Sequence, residues 1–257
     1  MPKDITIKVT SRCDKNCYHC CNDSTTDGID MDYISLLRIL KNAKDNGFTC
    51  VNYTGGEPFL YDNNGVRLNI LIECALSIGL QCTVITGGAT VNPIYKDVAD
   101  KLPPAAALGI SFNLFHKDAE QILVRTVDIF RDRKICSFNV TYTTAGRQRT
   151  LEALNRIATE AFPGTPLVEG CVVRVGRARD NFSSSMGYPN CCGGKYSNLM
   201  FDEHCCLLPC SSVFSSYNNF QNSEWKNIKP SDDLSEMNRL AETFCKTRCP
   251  FRYSGHI

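Results

Sequence analysis

Near its start the chain reads SRCDKNCYHCC, which sets Cys13, Cys17, Cys20 and Cys21 side by side in one short segment. The C-x3-C-x2-C spacing delivers three thiolates from a single loop. That suits three irons of a 4Fe-4S cube and leaves the fourth iron without a protein thiolate, open to a ligand. Structural zinc is the competing chemistry, but it more usually takes C-x2-C pairs, with a second pair farther along the chain. A second candidate is TGGEP at 54–58, where Gly55 and Gly56 permit close backbone approach and the Glu57 carboxylate can accept hydrogen bonds from an ammonium group. Taken alone, TGGEP is only a turn. A third group lies toward the C-terminus: NCCGGKYSNLMFDEHCCLLPCSS holds Cys191, Cys192, Cys205, Cys206 and Cys210, and ETFCKTRCPF holds Cys245 and Cys249. Thiolates there suit an iron–sulfur cluster, zinc, copper(I) or arsenic, or act as redox-active thiols, because thiolate-rich sequence does not by itself identify a metal.

Sixteen cysteines are many for a 257-residue chain. The start, MPKDITIKVTSRC, has no long apolar h-region, and no later segment offers 18 uncharged apolar residues, so a cytoplasmic protein with no membrane partner is expected. In a reducing compartment structural disulfides do not account for the cysteines, and metal or redox chemistry leads. Cys50, Cys74, Cys82 and Cys136 stand apart, mostly in apolar stretches, and read as small buried hydrophobes. A formal net charge of +1 provides no electrostatic case for nucleic acid or an anionic membrane.

These residues need a scaffold, and the chain's rhythm describes one. Strand-like runs at 5–10, 48–54, 80–86, 106–114, 135–143 and 166–175 alternate with helical patterns at 31–47, 66–79, 92–102, 117–133 and 147–162. Asp30 or Asp32 is placed to cap the first helix and Gly47 to end it; Gly79 ends the second, and Asn92-Pro93 opens the third. Repeated strand–helix units imply an α/β parallel sheet, curled as an incomplete barrel or lying open and doubly wound. Either way, chemistry belongs at the C-terminal ends of the strands. The cysteine loop, 11–30, follows the first strand and TGGEP ends the second, so both fall at that end.

A C-x3-C-x-aromatic-C loop after the first strand with GGEP after the second resembles the radical S-adenosylmethionine (radical SAM) superfamily. The resemblance implies a partial (β/α)6 TIM barrel. It also implies a 4Fe-4S cluster on Cys13, Cys17 and Cys20, with S-adenosylmethionine chelating the open iron. Reductive cleavage of the sulfonium would then yield a 5'-deoxyadenosyl radical that takes hydrogen from a substrate, the protein supplying position and exclusion of water. His19 takes the aromatic position beside the adenine, and Cys21 falls outside the motif with a packing role. Gly55, Gly56 and Glu57 join the cofactor site. Weaker correspondences add Ser111 and Asn113 at the end of the fourth strand, Asn139 and Thr141 on one face of the fifth, and Arg174 with Val175 ending the sixth. Each of these reads equally as an ordinary strand-end residue. Arg174 and Arg177 are candidate carboxylate or phosphate forks for a substrate, or solvated arginines.

After Ala178 the repeating units stop at a Ser, Gly and Asn linker, which divides the chain into a barrel over 1–180 and a small cysteine-rich domain over 181–257. That domain is similar to the twitch and SPASM auxiliary-cluster modules: a β-hairpin of YSNLMFD and LLPCSSVF, then a helix. The similarity implies a second 4Fe-4S cluster on Cys192, Cys210, Cys245 and Cys249, with Cys191 as a substitute for Cys192. Cys205 occupies a place where the family usually has glycine, and the Cys205–Cys206 pair is left without a role. The function expected is a small-molecule oxidation or rearrangement, the second cluster taking up an electron or orienting substrate, with a flavodoxin- or ferredoxin-type donor. A maturase that crosslinks, epimerises or cleaves a ribosomally made peptide is the alternative. A thiolate metal-binding protein without turnover is the reading from another class, and TGGEP argues against it.

Overall fold

In the computed structural model, residues 4–172, 176–182, 199–205 and 207–208 are described. Strand β1 (Asp4–Thr10) leads through the long cysteine loop to α1 (Tyr33–Asp45) and β2 (Cys50–Gly55). A 3-10 turn at Pro58–Leu60 and a small hairpin, β3 (Asp62–Asn63) with β4 (Val66–Arg67), precede α2 (Leu68–Ser77) and β5 (Gln81–Thr86). Then follow α3 (Ile94–Lys101), β6 (Ala107–Phe112), α4 (Ala119–Phe130), β7 (Ile135–Tyr142), α5 (Arg147–Ala158) and β8 (Leu167–Cys171). A short helix α6 (Ala178–Asn181) and the strands β9 (Leu199–Phe201) and β10 (Leu207–Leu208) complete the described elements.

The main sheet runs β10-β9-β1-β2-β5-β6-β7-β8, with seven parallel strands and β10 antiparallel at one end. From β1 to β8 the spatial order follows the chain order. Each right-handed crossover therefore lays its helix on the same face, beside the previous one, as the α1–α2, α2–α3, α3–α4 and α4–α5 contacts show. A doubly wound sheet requires a reversal of strand order, and these crossovers contain none.

The burial pattern follows from one covered face. Ile5, Ile7, Val9, Val51, Tyr53, Val84, Leu108, Ile110, Phe138 and Val140 point at the helices and are fully buried. They pack with Leu36, Ile39 and Leu40 of α1, Leu71 and Ile72 of α2, and Leu123, Val127 and Phe130 of α4. The alternate residues are polar and half-buried: Thr6, Asn52, Thr54, Thr83, Ser111, Ser137, Asn139 and Thr141 share the opposite face.

The structure decides between some of the sequence expectations and corrects others. Asp32, not Asp30, caps α1, its carboxylate accepting from the Ser35 N–H at 2.8 Å, while Asp30 pairs with Arg12. The second helix starts at Leu68 because Asn64-Gly65, both at positive φ, turns the chain into the β3–β4 hairpin first. The segment expected to be a linker begins with the α6 turn. The hairpin strands at 199–201 and 207–208 are present, but β9 pairs in parallel with β1 and so extends the main sheet. Of the four scattered cysteines only Cys82 is fully buried; Cys50, Cys74 and Cys136 are half-buried. Among the described residues no helix is long and apolar enough to cross a membrane.

Candidate functional site

The cysteine loop is long for a strand-to-helix connection, and its shape comes from cross-links to both its ends. Ser11 donates its N–H to the Ile29 carbonyl at 2.8 Å, Cys13 to that of Thr25 at 2.7 Å, and Met31 to that of Val9 at 2.7 Å. Arg12 adds its guanidinium to the Asp30 carboxylate and the Leu60 carbonyl. The loop thereby folds back on itself at the C-terminal end of β1.

TGGEP is bound directly to this loop. Gly56 donates its N–H to the Thr10 carbonyl and Glu57 to that of Arg12, both at 2.7 Å. A Cβ at Gly56 would lie 2.3 Å from the Arg12 carbonyl oxygen, so the contact between the two motifs requires glycine there. Asn22 donates its side-chain amide to the Gly55 carbonyl at 3.2 Å.

Glu57 is fully buried, and its carboxylate receives four donors. Oε1 accepts from the Thr86 hydroxyl at 2.8 Å and the Phe59 N–H at 3.3 Å; Oε2 accepts from Lys15 Nζ at 2.7 Å and the Gly87 N–H at 3.0 Å. Lys15 lies between Cys13 and Cys17, almost wholly buried, and also donates to the Tyr95 hydroxyl at 2.7 Å. Burial works against its ammonium, but Glu57, Cys13 and Asp14 outweigh that and raise its pKa. Tyr95 in turn donates to Asp14 Oδ1 at 2.8 Å, and the Thr90 hydroxyl donates to Asp14 Oδ2 at 2.7 Å. Asp14, Lys15 and Tyr95 were absent from the expected site. The signal for Lys15 was its place between two cysteines, whereas Tyr95 carries no sequence mark.

From the other side, Arg177 closes the loop. Its N–H meets the Cys20 carbonyl at 3.0 Å, and its guanidinium donates to Asn16 Oδ1 and to the Ser24 carbonyl, each at 2.9 Å. Arg177 is therefore neither a free substrate fork nor a solvated residue: its side chain holds the cysteine loop.

Cys13, Cys17 and Cys20 lie near enough in this frame for their charges to act on one another. Burial pushes the Cys13 thiol up to about 11 despite Lys15, and burial followed by the Cys13 and Cys20 charges pushes Cys17 up to about 12. Such thiols ionise only against positive charge, and bound iron supplies it. Among the described residues no three His, Cys, Asp or Glu side chains converge on a single ion. A cubane takes each thiolate on a different iron, so three thiols spaced around one loop suit a cluster. Cys21 is pushed up to about 12, chiefly by burial, and its sulfur faces Asn22.

His19 stacks at a tilt on Phe115, ring centroids 5.0 Å apart, and burial, with smaller effects from His116 and Arg177, lowers its pKa to about 4. It is a neutral ring at physiological pH. His19 Nδ1, Ser24 Oγ and Arg177 Nε are buried and lack a hydrogen-bond partner among the described residues. Buried polar atoms are normally satisfied, so three orphans around one loop fit a polar ligand seated beside the cysteines.

The weaker candidates lie on the next strands. Ser111 of β6 and Asn139 of β7 are register partners on the polar face, with Thr141 two residues farther along that face. Asn139 donates to the Ser137 hydroxyl at 3.3 Å. Asn113, just past β6, is buried and accepts from the Phe115 N–H at 3.0 Å, which shapes the turn carrying Phe115 to His19. Arg174, Val175, Cys191, Cys192, Cys206, Cys210, Cys245 and Cys249 lie outside the described residues.

Three comparisons bear on this arrangement. The family model of the Radical SAM superfamily matches residues 7–168, more than half the chain. The S-adenosylmethionine-dependent nucleotide dehydratase RSAD2 of Siniperca chuatsi is 24% identical over 127 residues, 49% of this chain and 35% of that protein. The chain thus spans about a third of the length of that curated relative. Among solved structures, anSMEcpe with bound AdoMet and Cp18Cys peptide superposes at a TM-score of 0.63 with 12% identity, covering 96% of this chain and 84% of that one. Streptococcus suis SuiB bound to its precursor peptide SuiA superposes at 0.55 with 16% identity, covering 100% and 67%. At these identities the structures speak for the fold. The family model spans both motifs that the structure joins at the C-terminal ends of β1 and β2, and the chain belongs to the radical SAM superfamily of enzymes.

Proposed function

We propose that this enzyme performs a small-molecule oxidation or rearrangement initiated by hydrogen abstraction, with an auxiliary 4Fe-4S cluster that takes up an electron or orients the substrate. The observation that carries the reading is the joining of the three-cysteine loop to TGGEP beside a polar, half-buried sheet face. The family's cluster and S-adenosylmethionine, when bound, supply reductive cleavage of the sulfonium and a 5'-deoxyadenosyl radical that takes hydrogen from the substrate.

The chain's own residues hold and shield those groups. Cys13, Cys17 and Cys20 would hold the cluster, and His19, with its orphaned Nδ1, would bind the adenine. Gly55 and Gly56 would offer the cofactor only the backbone groups left free by Asn22 and Thr10. Ser111, Asn113, Asn139 and Thr141 would complete its surroundings, and the family resemblance adds Arg174 and Val175, which lie outside the described residues. Phe115, packed on His19 and edge-on to Phe182 at 5.2 Å, keeps water from that side.

The division into 1–180 and 181–257, and a second cluster on Cys192, Cys210, Cys245 and Cys249, belong to the same proposal. The β9–β10 hairpin supports it, since Cys210 follows two residues after β10 in the chain. The electron donor is of flavodoxin or ferredoxin type, and the compartment is the cytoplasm.

A peptide substrate is the second reading. It is favoured by the two superposed enzymes, whose structures hold a Cp18Cys peptide and the precursor SuiA.

Anaerobic reconstitution with iron and sulfide, followed by reduction in the presence of S-adenosylmethionine, is expected to yield 5'-deoxyadenosine and methionine from it. Their absence with intact clusters would overturn the enzyme reading. A variant lacking Cys13, Cys17 and Cys20 is expected to retain about four irons, one auxiliary cube. Retention of none would remove the second cluster from the proposal. 5'-Deoxyadenosine release with peptides but not with small alcohols would select the second reading.

A further inference from the structure

The GGEP glutamate is poorly available to a cofactor in this chain. An ionised carboxylate offers about four acceptor sites on two oxygens, and Glu57 already receives Thr86, Phe59, Gly87 and Lys15 in a fully buried position. The strongest of these donors is the Lys15 ammonium at 2.7 Å, which comes from between the first two cluster cysteines. Its neighbour Asp14 is held with equal care, by the Tyr95 hydroxyl at 2.8 Å and the Thr90 hydroxyl at 2.7 Å. Tyr95 links the two, accepting from Lys15 while donating to Asp14. The two residues that follow Cys13 are thus tied to the turn after β2, to the loop after β5 and to α3.

We infer that Glu57 serves the cofactor site through Lys15, as the buried counter-ion that seats the Cys13–Cys17 segment, and that its carboxylate does not bind the ammonium of S-adenosylmethionine. Glu57, Lys15 and Tyr95 are positioning residues for the cluster loop. The inference rests on the radical SAM assignment and on Cys13, Cys17 and Cys20 as ligands. Removing Lys15 alone leaves the buried Glu57 carboxylate with an unmet charge, whereas removing both relieves that mismatch and leaves Asp14, 3.5 Å from Lys15 Nζ, to its Tyr95 and Thr90 donors.

A double-mutant cycle separates this role from direct cofactor binding. Lys15→Met, Glu57→Gln and the double variant are reconstituted, and the rate of iron loss to a chelator and the Kd for S-adenosylmethionine, read by equilibrium dialysis against the unreduced, cluster-loaded protein, are measured. Each single variant is expected to lose iron about tenfold faster, and the double variant to recover most of that loss. Among variants that hold a cluster, the Kd is expected to stay within about threefold of the parent, since no direct contact is removed.

A Glu57→Gln change that weakens S-adenosylmethionine binding tenfold or more in the Lys15→Met background, the cluster being intact, would overturn the inference. Additive iron loss across the cycle would do the same. Should the single variants fail to fold, Tyr95→Phe supplies a milder cut. It is expected to hasten iron loss by about threefold with the Kd unchanged, since the Lys15–Glu57 ion pair is kept while the Tyr95 link to Asp14 is lost, and an unaltered rate would count against the network. A parent protein that takes up no cluster at all would instead bring down the superfamily chemistry on which the inference stands.

Discussion

The backbone N–H of Arg177 meets the carbonyl of Cys20 at 3.0 Å, joining the third cysteine of the loop to a segment far along the chain. Gly176 makes this approach possible: its φ of 56° is one that side chains disfavour, and a Cβ there would lie 2.5 Å from the Cys20 oxygen. Gly176→Val is expected to displace the loop and lower iron uptake on reconstitution, measured as iron per chain. Arg177→Ala removes two charge-assisted hydrogen bonds and is expected to cost about 1.5–3 kcal/mol in urea unfolding of the apo protein.

Gly56→Ala tests the joint between the two motifs. Because the added methyl meets the Arg12 carbonyl, a backbone atom of the cluster loop, relief requires that loop to shift. A destabilisation of about 2 kcal/mol or more is expected from the overlap, with reduced iron retention. A variant with parental stability would show that the joint is looser than it looks.

The histidines set a pH dependence. Burial, with Lys15 adding and Asp118 opposing, lowers His116 to about 4, and His19 is lowered to about 4 as well. An unfolded histidine titrates near 6.5, so between about 6.5 and about 4 the unfolded chain binds protons that the folded chain refuses. The stability contributed by the neutral rings is therefore fully present above about 6.5 and is lost as pH falls through that window. His116→Gln is expected to flatten the fall in apo-protein unfolding free energy between pH 6.5 and 4. An unchanged slope would show that the His116 ring is open to solvent.

Cys205 has a φ of 60° in the turn between β9 and β10, where Asp202 accepts the Cys205 and His204 N–H groups on its carbonyl and its carboxylate. Glycine adopts such a φ without strain. Cys205→Gly is expected to change thermal stability little, strain relief offsetting added freedom in the unfolded chain. Cys205→Val is expected to cost about 2 kcal/mol, because a β-branched side chain is strained there.

Much of the site could be read before folding was considered. Cys13, Cys17 and Cys20 share one loop, and their spacing alone limits what they can bind. The alternation of strands and helices placed that loop and TGGEP at one end of a parallel sheet, because every βαβ crossover returns the chain in the same direction. The β3–β4 hairpin was equally legible in Asn64-Gly65, whose consecutive left-handed conformations make a tight turn, but the apolar periodicity of the following helix hid it.

What the sequence determined by itself was local: three thiols at cluster spacing, glycines where backbones meet, and an amphipathic rhythm that builds a one-sided sheet. The tertiary structure decided which polar groups are consumed. Glu57 reads as a free acceptor until Lys15, Thr86 and two backbone N–H groups converge on it, and Arg177 reads as a substrate fork until it closes over Asn16 and Ser24. Pattern in a sequence reports periodicity and spacing along the chain. Hydrogen-bond saturation depends on partners brought together across it, and those partners carry no mark that pairs them in advance.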